Sequence, residues 1–123
     1  MKQEIKNSEW PAFCRLLNRQ LAGATVKLEV IEPDEVKTEL VANATFQSMA
    51  FDKSDSCSDT ITLRLRATRE IVHEIIEPVK MLLLPSGAAG DFNQLQIEAE
   101  SGVVFITFHP AIHEKMLEGL KAG

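Results

Sequence analysis

The stretch from Ser8 to Val30, SEWPAFCRLLNRQLAGATVKLEV, decides the fold of this chain. Its first part repeats apolar residues at helical spacing, and Gly23 is a residue type that commonly ends a helix. Beyond Gly23, apolar and charged residues alternate, which is typical of a half-buried strand. The stretch therefore predicts a helix, capped by Ser8 or starting at Trp10, that turns directly into a strand. Neither element carries an evident catalytic group.

The bulk composition is that of a single globular domain. The chain has 123 residues, of which 45% are hydrophobic and 25% charged, and this length is enough for one core. The formal net charge of −5 disfavours nucleic acid, because a negative chain is repelled by phosphates unless its basic residues cluster. We predict a flexible arm over residues 1–7 and one domain over residues 8–121.

The cysteines and the apolar runs favour a cytoplasmic protein. The two cysteines, Cys14 and Cys57, have no spacing that indicates a metal site or a disulfide framework. Cys14 falls on the apolar side of the predicted helix, and Cys57 falls in a polar loop. The N-terminus does not read as a signal peptide, and no stretch approaches the roughly 20 apolar residues of a membrane span. We therefore expect no membrane partner.

The rest of the chain alternates short strands with turns. Strand patterns cover residues 36–47, 61–66, 79–84, 95–99 and 103–108, the last two joined as a hairpin at Ser101-Gly102. A short helix is predicted over residues 69–76, with Thr68 as its cap, and a final helix over residues 111–120, opened by Pro110. The expected fold class is α+β: an antiparallel, strongly twisted sheet of about five to six strands with an N-terminal, a short middle and a C-terminal helix.

Several segments resemble a small bacterial domain family of uncharacterised function. They are Glu9-Trp10-x-x-Phe13, Leu21-x-Gly23, Val26-x-Leu28-Glu29-Val30, the region from Phe51-Asp52 to Leu65, and Ile71-Val72-His73-x-Ile75-x-x-Pro78. Together they span roughly residues 8–108. Val72 stands where that family has an acid before the histidine, and Phe51-Asp52-Lys53 stands where it often has Tyr-Asp-Pro. The resemblance implies a compact single domain and brings no catalytic residue.

A shorter similarity leads to an alternative function. Leu21-x-Gly23-x-x-Val26-x-Leu28 after a helix resembles the start of Sm-like barrels, which bind RNA as rings. The later Gly and Asp-x-x-Met-Asn features of those proteins are missing here. An RNA-binding barrel would need a basic surface, and the chain has a single basic cluster: Arg64, Arg66 and Arg69. Such arginines more often pair with carboxylates on neighbouring strands.

His73 is the candidate site residue of the third hypothesis, a small enzyme. It lies near Glu70, Glu74 and Glu77, and a histidine beside a carboxylate can act as a general base. No serine or cysteine stands at a recognisable motif spacing, so a structural role for the imidazole is favoured. His73, Arg64, Arg66 and Arg69 make up the candidate functional surface.

Metal and cofactor patterns are weak. His109 and His113 stand four residues apart, a spacing that would place two imidazoles on one helical face, but zinc needs three or four ligands. The acids Asp52, Asp55 and Asp59 lack the calcium-loop pattern, and Gly87-Ala88-Ala89-Gly90 leads into a strand rather than a helix. We predict no metal and no cofactor. The leading hypothesis is a non-catalytic interaction or regulatory module that binds an unknown protein partner or a second copy of itself.

Overall fold

The predicted helix-to-strand opening is present in the structure, a computed structural model that describes residues 3–32, 37–53, 59–85, 91–100 and 102–113. Helix α1 spans Trp10–Gln20 and follows a 3-10 turn at Asn7–Glu9. The N-cap is Glu9 rather than Ser8, and it makes no side-chain capping bond. Pro11 lies in the first turn, where a missing N–H costs nothing. Gly23 turns the chain out of the helix at φ +93°, a conformation that favours glycine.

All eight described strands belong to one antiparallel sheet, so the prediction of an antiparallel sheet with an N-terminal helix is confirmed. The strands are β1 Gln3–Glu4, β2 Thr25–Ile31, β3 Lys37–Asp52, β4 Thr60–Arg66, β5 Glu70–Ile76, β6 Pro78–Pro85, β7 Asp91–Ala99 and β8 Gly102–His113. Their order across the sheet is β1-β6-β7-β8-β2-β3-β4-β5. The described sheet is therefore larger than the five to six strands expected.

The sheet consists of two meanders that share one seam. Strands β2 to β5 form the first meander and β6 to β8 the second, and β2 pairs with β8 from Thr25↔His109 to Ile31↔Val103. The chain passes from β5 to β6 through a single residue, Glu77. Since one residue spans less than about 4 Å, the β5 end of the sheet must curve back to the start of β6.

A bulge explains the imperfect alternation of β3. Val26 pairs with Ala44 and Leu28 with Val41, so two residues of β3 lie opposite Lys27. Asn43, one of those two, has φ +57°, and asparagine tolerates this left-handed region better than most residues. The extra residue reverses the faces of the strand. The register shifts again between Leu28↔Val41 and Glu29↔Glu39, and Leu40, which lies at this second shift, is 47% exposed, whereas Val41 packs against the core.

The core lies between the inner face of the curved sheet and α1. Trp10 packs edge-on against Phe51 with ring centroids 5.4 Å apart, and its indole N–H donates to the Ile5 carbonyl at 2.9 Å. Other fully buried side chains come from the helix and from most strands: Phe13, Leu17, Leu28, Phe46, Met49, Ile61, Leu63, Leu65, Met81 and Phe108.

Residues 3–5 bond to strand β6, within the segment 1–7 for which the sequence suggested a flexible arm. Gln3 and Glu4 pair with Leu83 and Leu82 of β6. Ile5 is 2% exposed, and its N–H donates to the Met81 carbonyl at 2.9 Å. The single isoleucine anchors this segment, and sequence periodicity cannot show an anchor of one residue.

The predicted middle helix is wrong, because residues 70–76 form strand β5. The spacing of Ile71, Val72, Ile75 and Ile76 fits one helical face, but it fits an alternating strand as well. All four side chains are β-branched, which restricts their rotamers in a helix and suits a pleated sheet. Pairing along the whole of β4, from Thr60↔Ile76 to Arg66↔Glu70, decides the outcome.

The predicted C-terminal helix is wrong at its start. Residues 111–113 continue strand β8, where His113 pairs with Asp91 and Ile112 with Phe92. The pairing skips between Phe92↔Ile112 and Gln94↔Thr107, and Pro110, which has no N–H to donate, falls within that irregularity. Residues 114–120 of this prediction lie outside the described residues, as do Asp55, Cys57 and the loop 86–90.

Candidate functional site

The four residues of the candidate surface do not share one face of the sheet. Arg64 and Arg66 point outward from β4, and Arg69 is exposed in the turn before β5. His73 lies on the opposite side, on the same face of β5 as the buried Ile75. The structure thus exposes the three arginines on β4 and the β4–β5 turn, and it turns the histidine toward the interior.

The arginine cluster is partly neutralised by a carboxylate. Arg64 Nη1 donates to Glu70 Oε1 at 3.1 Å, with both side chains about half exposed. Glu70 also lies directly opposite Arg66 in the β4–β5 register. Glu70 therefore pairs with Arg64 and lies next to Arg66, which is the local pairing with a carboxylate that the acidic composition favours.

His73 borders a small cavity at the junction of β5 with the ends of β2, β7 and β8. The cavity measures about 160 Å³ and is lined by Val30, Glu32, His73, Glu74, Ile75, Ala99, Gly102 and Val104. Burial lowers the pKa of the His73 imidazole from its ordinary value of 6.5, because a charged ring loses hydration there. No described residue hydrogen-bonds to this imidazole. It is consequently a neutral group at neutral pH, next to a space smaller than the roughly 300–1,000 Å³ of usual small-molecule sites.

Gly102 keeps that cavity narrow. It has φ +142°, and a Cβ at this position would run into the backbone carbonyl of Ile31. The first residue of β8 therefore lies tight against the end of β2, and only glycine permits this approach.

His109 and His113 do not share a helical face, because both are strand residues. His109 is exposed opposite Thr25, and His113 Nε2 lies 3.8 Å from Asp91 Oδ1 across the β7–β8 pair. Among the residues that the structure describes, no three His, Cys, Asp or Glu side chains are grouped as a metal site. Cys14 is buried in the helix, and desolvation raises the pKa of its thiol to about 12, so it is not a nucleophile.

Within the part of the chain that the structure describes, strand β5 presents a free edge that the sequence interpretation missed. The Glu77 N–H donates to the Asp59 carbonyl at 2.8 Å, and antiparallel pairs alternate between bonded and non-bonded positions. The odd-numbered residues of β5 therefore bond to β4, while the peptide groups of residues 70, 72, 74 and 76 point away from it. No other described strand pairs with that edge. Val72 and Ile76, on the outer face beside it, are 49% and 56% exposed.

A shallow groove of about 420 Å³ adjoins the end of this edge. It is lined by Glu74, Ile76, Glu77 and Glu100, so it lies between β5 and the β7–β8 turn. Val79, two residues beyond Glu77, is 63% exposed. The groove thus combines carboxylates with the apolar side chain of Ile76, and the exposed Val79 follows it in the sequence.

Residues 1–114 match the model of a domain family of unknown function, DUF5335. The chain belongs to this family. The match agrees with the resemblance to an uncharacterised domain family found in the sequence. Comparison with curated proteins and with solved structures finds no match. Membership of DUF5335 therefore brings no activity, and a function has to be argued from the side chains of this domain.

Sequence reasoning missed the residues at a strand edge of the DUF5335 domain. The edge of β5 was hidden by the helical interpretation of residues 69–76. The alternation of Ile71, His73 and Ile75 with Val72 and Glu74 was the signal that could have revealed it. Within the described residues, no helix is both long and apolar enough to cross a membrane.

Proposed function

We propose that this domain is a non-catalytic, cytoplasmic interaction module that binds a protein partner through the free edge and outer face of β5. The observation that carries the proposal is the row of outward peptide groups at residues 70–76, beside the exposed Val72 and Ile76. Unpaired sheet edges pair readily with another chain, and proteins usually block them with charge, proline or a covering element. Here Glu74 stands on the edge, but no described element covers it.

A second copy of the chain is the less favourable occupant of this edge. Two β5 strands side by side would bring Glu70 and Glu74 of one copy close to the same residues of the other. Like charges on neighbouring strands are destabilising, and each chain carries a formal net charge of −5. The edge therefore favours a different protein over self-association.

Photo-crosslinking in cells tests the proposed surface. A photoreactive amino acid in place of Ile76 should give a covalent adduct with a partner, while one in place of Glu4, on strand β1, should not. The Glu74→Pro substitution removes one outward N–H and leaves the β4 ladder intact, so it should abolish the Ile76 adduct. Adducts that are equal at both positions, or that persist with Glu74→Pro, would overturn the proposal.

A small enzyme that uses His73 is the second candidate function. It is supported by the lowered pKa of the imidazole and by its position on a cavity that Glu32 and Glu74 also line. A panel of metabolites in thermal unfolding separates the two candidates, since a ligand at 100 times its Kd adds about 2.7 kcal/mol to stability. A shift that His73→Gln abolishes and Val72→Pro, which alters the β5 edge outside the cavity lining, retains would favour the enzyme. RNA binding gains no such support, because Arg64 is already paired with Glu70.

A further inference from the structure

We propose that the segment bound at β5 is an extended strand with the pattern apolar–x–Lys/Arg–x–apolar, which adds to the sheet in antiparallel orientation. This inference rests on the proposed function and specifies the chemistry of the partner. It follows from three features of the β5 edge: the direction of its peptide groups, the charge of its outer face and the cavity on its inner face.

The backbone sets the position of the added strand. The N–H and C=O groups of Val72, Glu74 and Ile76 point away from β4, so an antiparallel segment can bond to each of them. In this arrangement, the residues opposite these three positions place their side chains on the outer face of the sheet. Their Cβ atoms would lie about 4.5–5.5 Å from those of β5.

The outer face sets the alternation of apolar and basic residues. Val72 and Ile76, both about half exposed, are covered by apolar residues of the added strand. Between them stands Glu74, which lines the groove together with Glu100, and no basic side chain lines this groove among the described residues. A lysine or arginine opposite Glu74 would meet both carboxylates. A neutral or acidic residue there would leave them unpaired or repelled.

The inner face limits the residues between the anchors. Side chains that alternate with the basic residue point to the inner side of β5, where the cavity of about 160 Å³ beside His73 includes the small residues Ala99 and Gly102 in its lining. That space holds small side chains such as alanine, serine or threonine. Large aromatic residues at the x positions would not fit.

A fluorescent peptide with the core Val-Thr-Lys-Thr-Val, titrated onto the full chain and followed by fluorescence anisotropy, tests the inference. We expect saturable binding that weakens about five- to thirtyfold in Glu74→Lys, because an attractive cross-strand pair becomes repulsive. The peptide with glutamate in place of lysine should bind wild type poorly and Glu74→Lys better. The matched control Glu4→Lys makes the same charge change on exposed β1 and should bind like wild type.

Two further measurements keep the test decisive. N-methylation of the peptide amides that face β5 should abolish binding without any change to the protein, so the result does not depend on how a variant folds. Equal binding of the lysine and glutamate peptides, or no binding of the lysine peptide, would overturn the inference. If Ile76 crosslinks to a partner in cells but the lysine peptide does not bind, only the proposed chemistry of the partner is refuted. Loss of the crosslinks as well would refute the proposed surface itself.

Discussion

At the far end of β3 and at the edge of β5, backbone N–H and C=O groups lack a neighbouring described strand on one side. A side chain of the domain bonds to such groups at β3, whereas β5 differs in this respect. Strand β3 runs past its last pairing with β2 at Thr25↔Thr45. There the Asn18 side chain takes the place of a strand: Met49 N–H donates to Asn18 Oδ1 at 2.7 Å, and Asn18 Nδ2 donates to the Met49 carbonyl at 3.0 Å. Among the described residues, nothing comparable covers β5.

Helix α1 is the element that makes this difference. It packs along β3, and besides Asn18 it contributes Trp10, whose indole N–H holds the Ile5 carbonyl next to β1. One helix therefore donates and accepts hydrogen bonds at the unpaired stretch of β3 and also bonds to Ile5, next to the short strand at one end of the sheet. The opposite end, β5, lies outside its reach. Within the described residues, side chains of α1 therefore bond to backbone groups of β3 and of Ile5 after β1, and none bonds to the outward peptide groups of β5.

Among the variants that test this comparison, Trp10→Ala should cause the largest loss in the free energy of unfolding. It removes a fully buried ring, its contact with Phe51 and the hydrogen bond to Ile5. We expect a loss of about 3–5 kcal/mol in the free energy of unfolding, as for other buried aromatic truncations. Urea denaturation followed by circular dichroism measures it. A loss below about 1 kcal/mol would mean that α1 does not secure the β1 end of the sheet.

The Asn18→Ala substitution tests the covered edge of β3 directly. It leaves the N–H and C=O of Met49 without their partner in a partly buried position, and we expect a loss of about 1–3 kcal/mol. Asn18→Asp should lose less, because its carboxylate still accepts from the Met49 N–H. Arg19→Ala, at the neighbouring exposed helix position, is the matched control and should change stability by less than about 0.5 kcal/mol. Equal losses for Asn18→Ala and Arg19→Ala would show that the amide does not serve as a strand substitute.

The sequence predicts the elements that depend on their own residues and misses those that depend on a distant neighbour. The helix from Trp10 and the strand from Thr25 follow from apolar spacing and from Gly23, because each depends on its own residues. Strand β5 does not, because Ile71, Val72, Ile75 and Ile76 fit both periods, and only the presence of β4 alongside decides between them. The Asn18–Met49 contact joins residues 31 positions apart, so an asparagine on the polar side of a helix gives no local sign of it. The candidate site is the free edge of β5, and this edge depends on the order of the strands in the sheet. The spacing of residues along the sequence does not determine that order.

The pH dependence of stability tests how closed the inner side of β5 is. Burial lowers the pKa of His73 in the folded chain below its ordinary value of 6.5. As the pH falls below about 6.5, the unfolded chain therefore takes up a proton that the folded chain does not, and stability decreases until the lower, folded-state pKa is passed. Denaturation from pH 7.5 to 5 should show this decrease in wild type, and His73→Gln should reduce it. Identical slopes would mean that the imidazole is well hydrated and that the inner side of β5 is open to water.

The smallest effect should come from the outer face of β5, at the ion pair between Arg64 and Glu70. Both side chains are about half exposed, and exposed pairs contribute only about 0–1 kcal/mol. We expect Arg64→Ala, Glu70→Ala and the double variant to unfold within about 0.5 kcal/mol of one another, with a coupling energy near the limit of measurement. Such a result fits an outer face that contributes little to the domain's own stability and so remains available to a partner. A coupling energy above about 1.5 kcal/mol would instead give this face a structural role and would weaken the case for β5 as the binding edge.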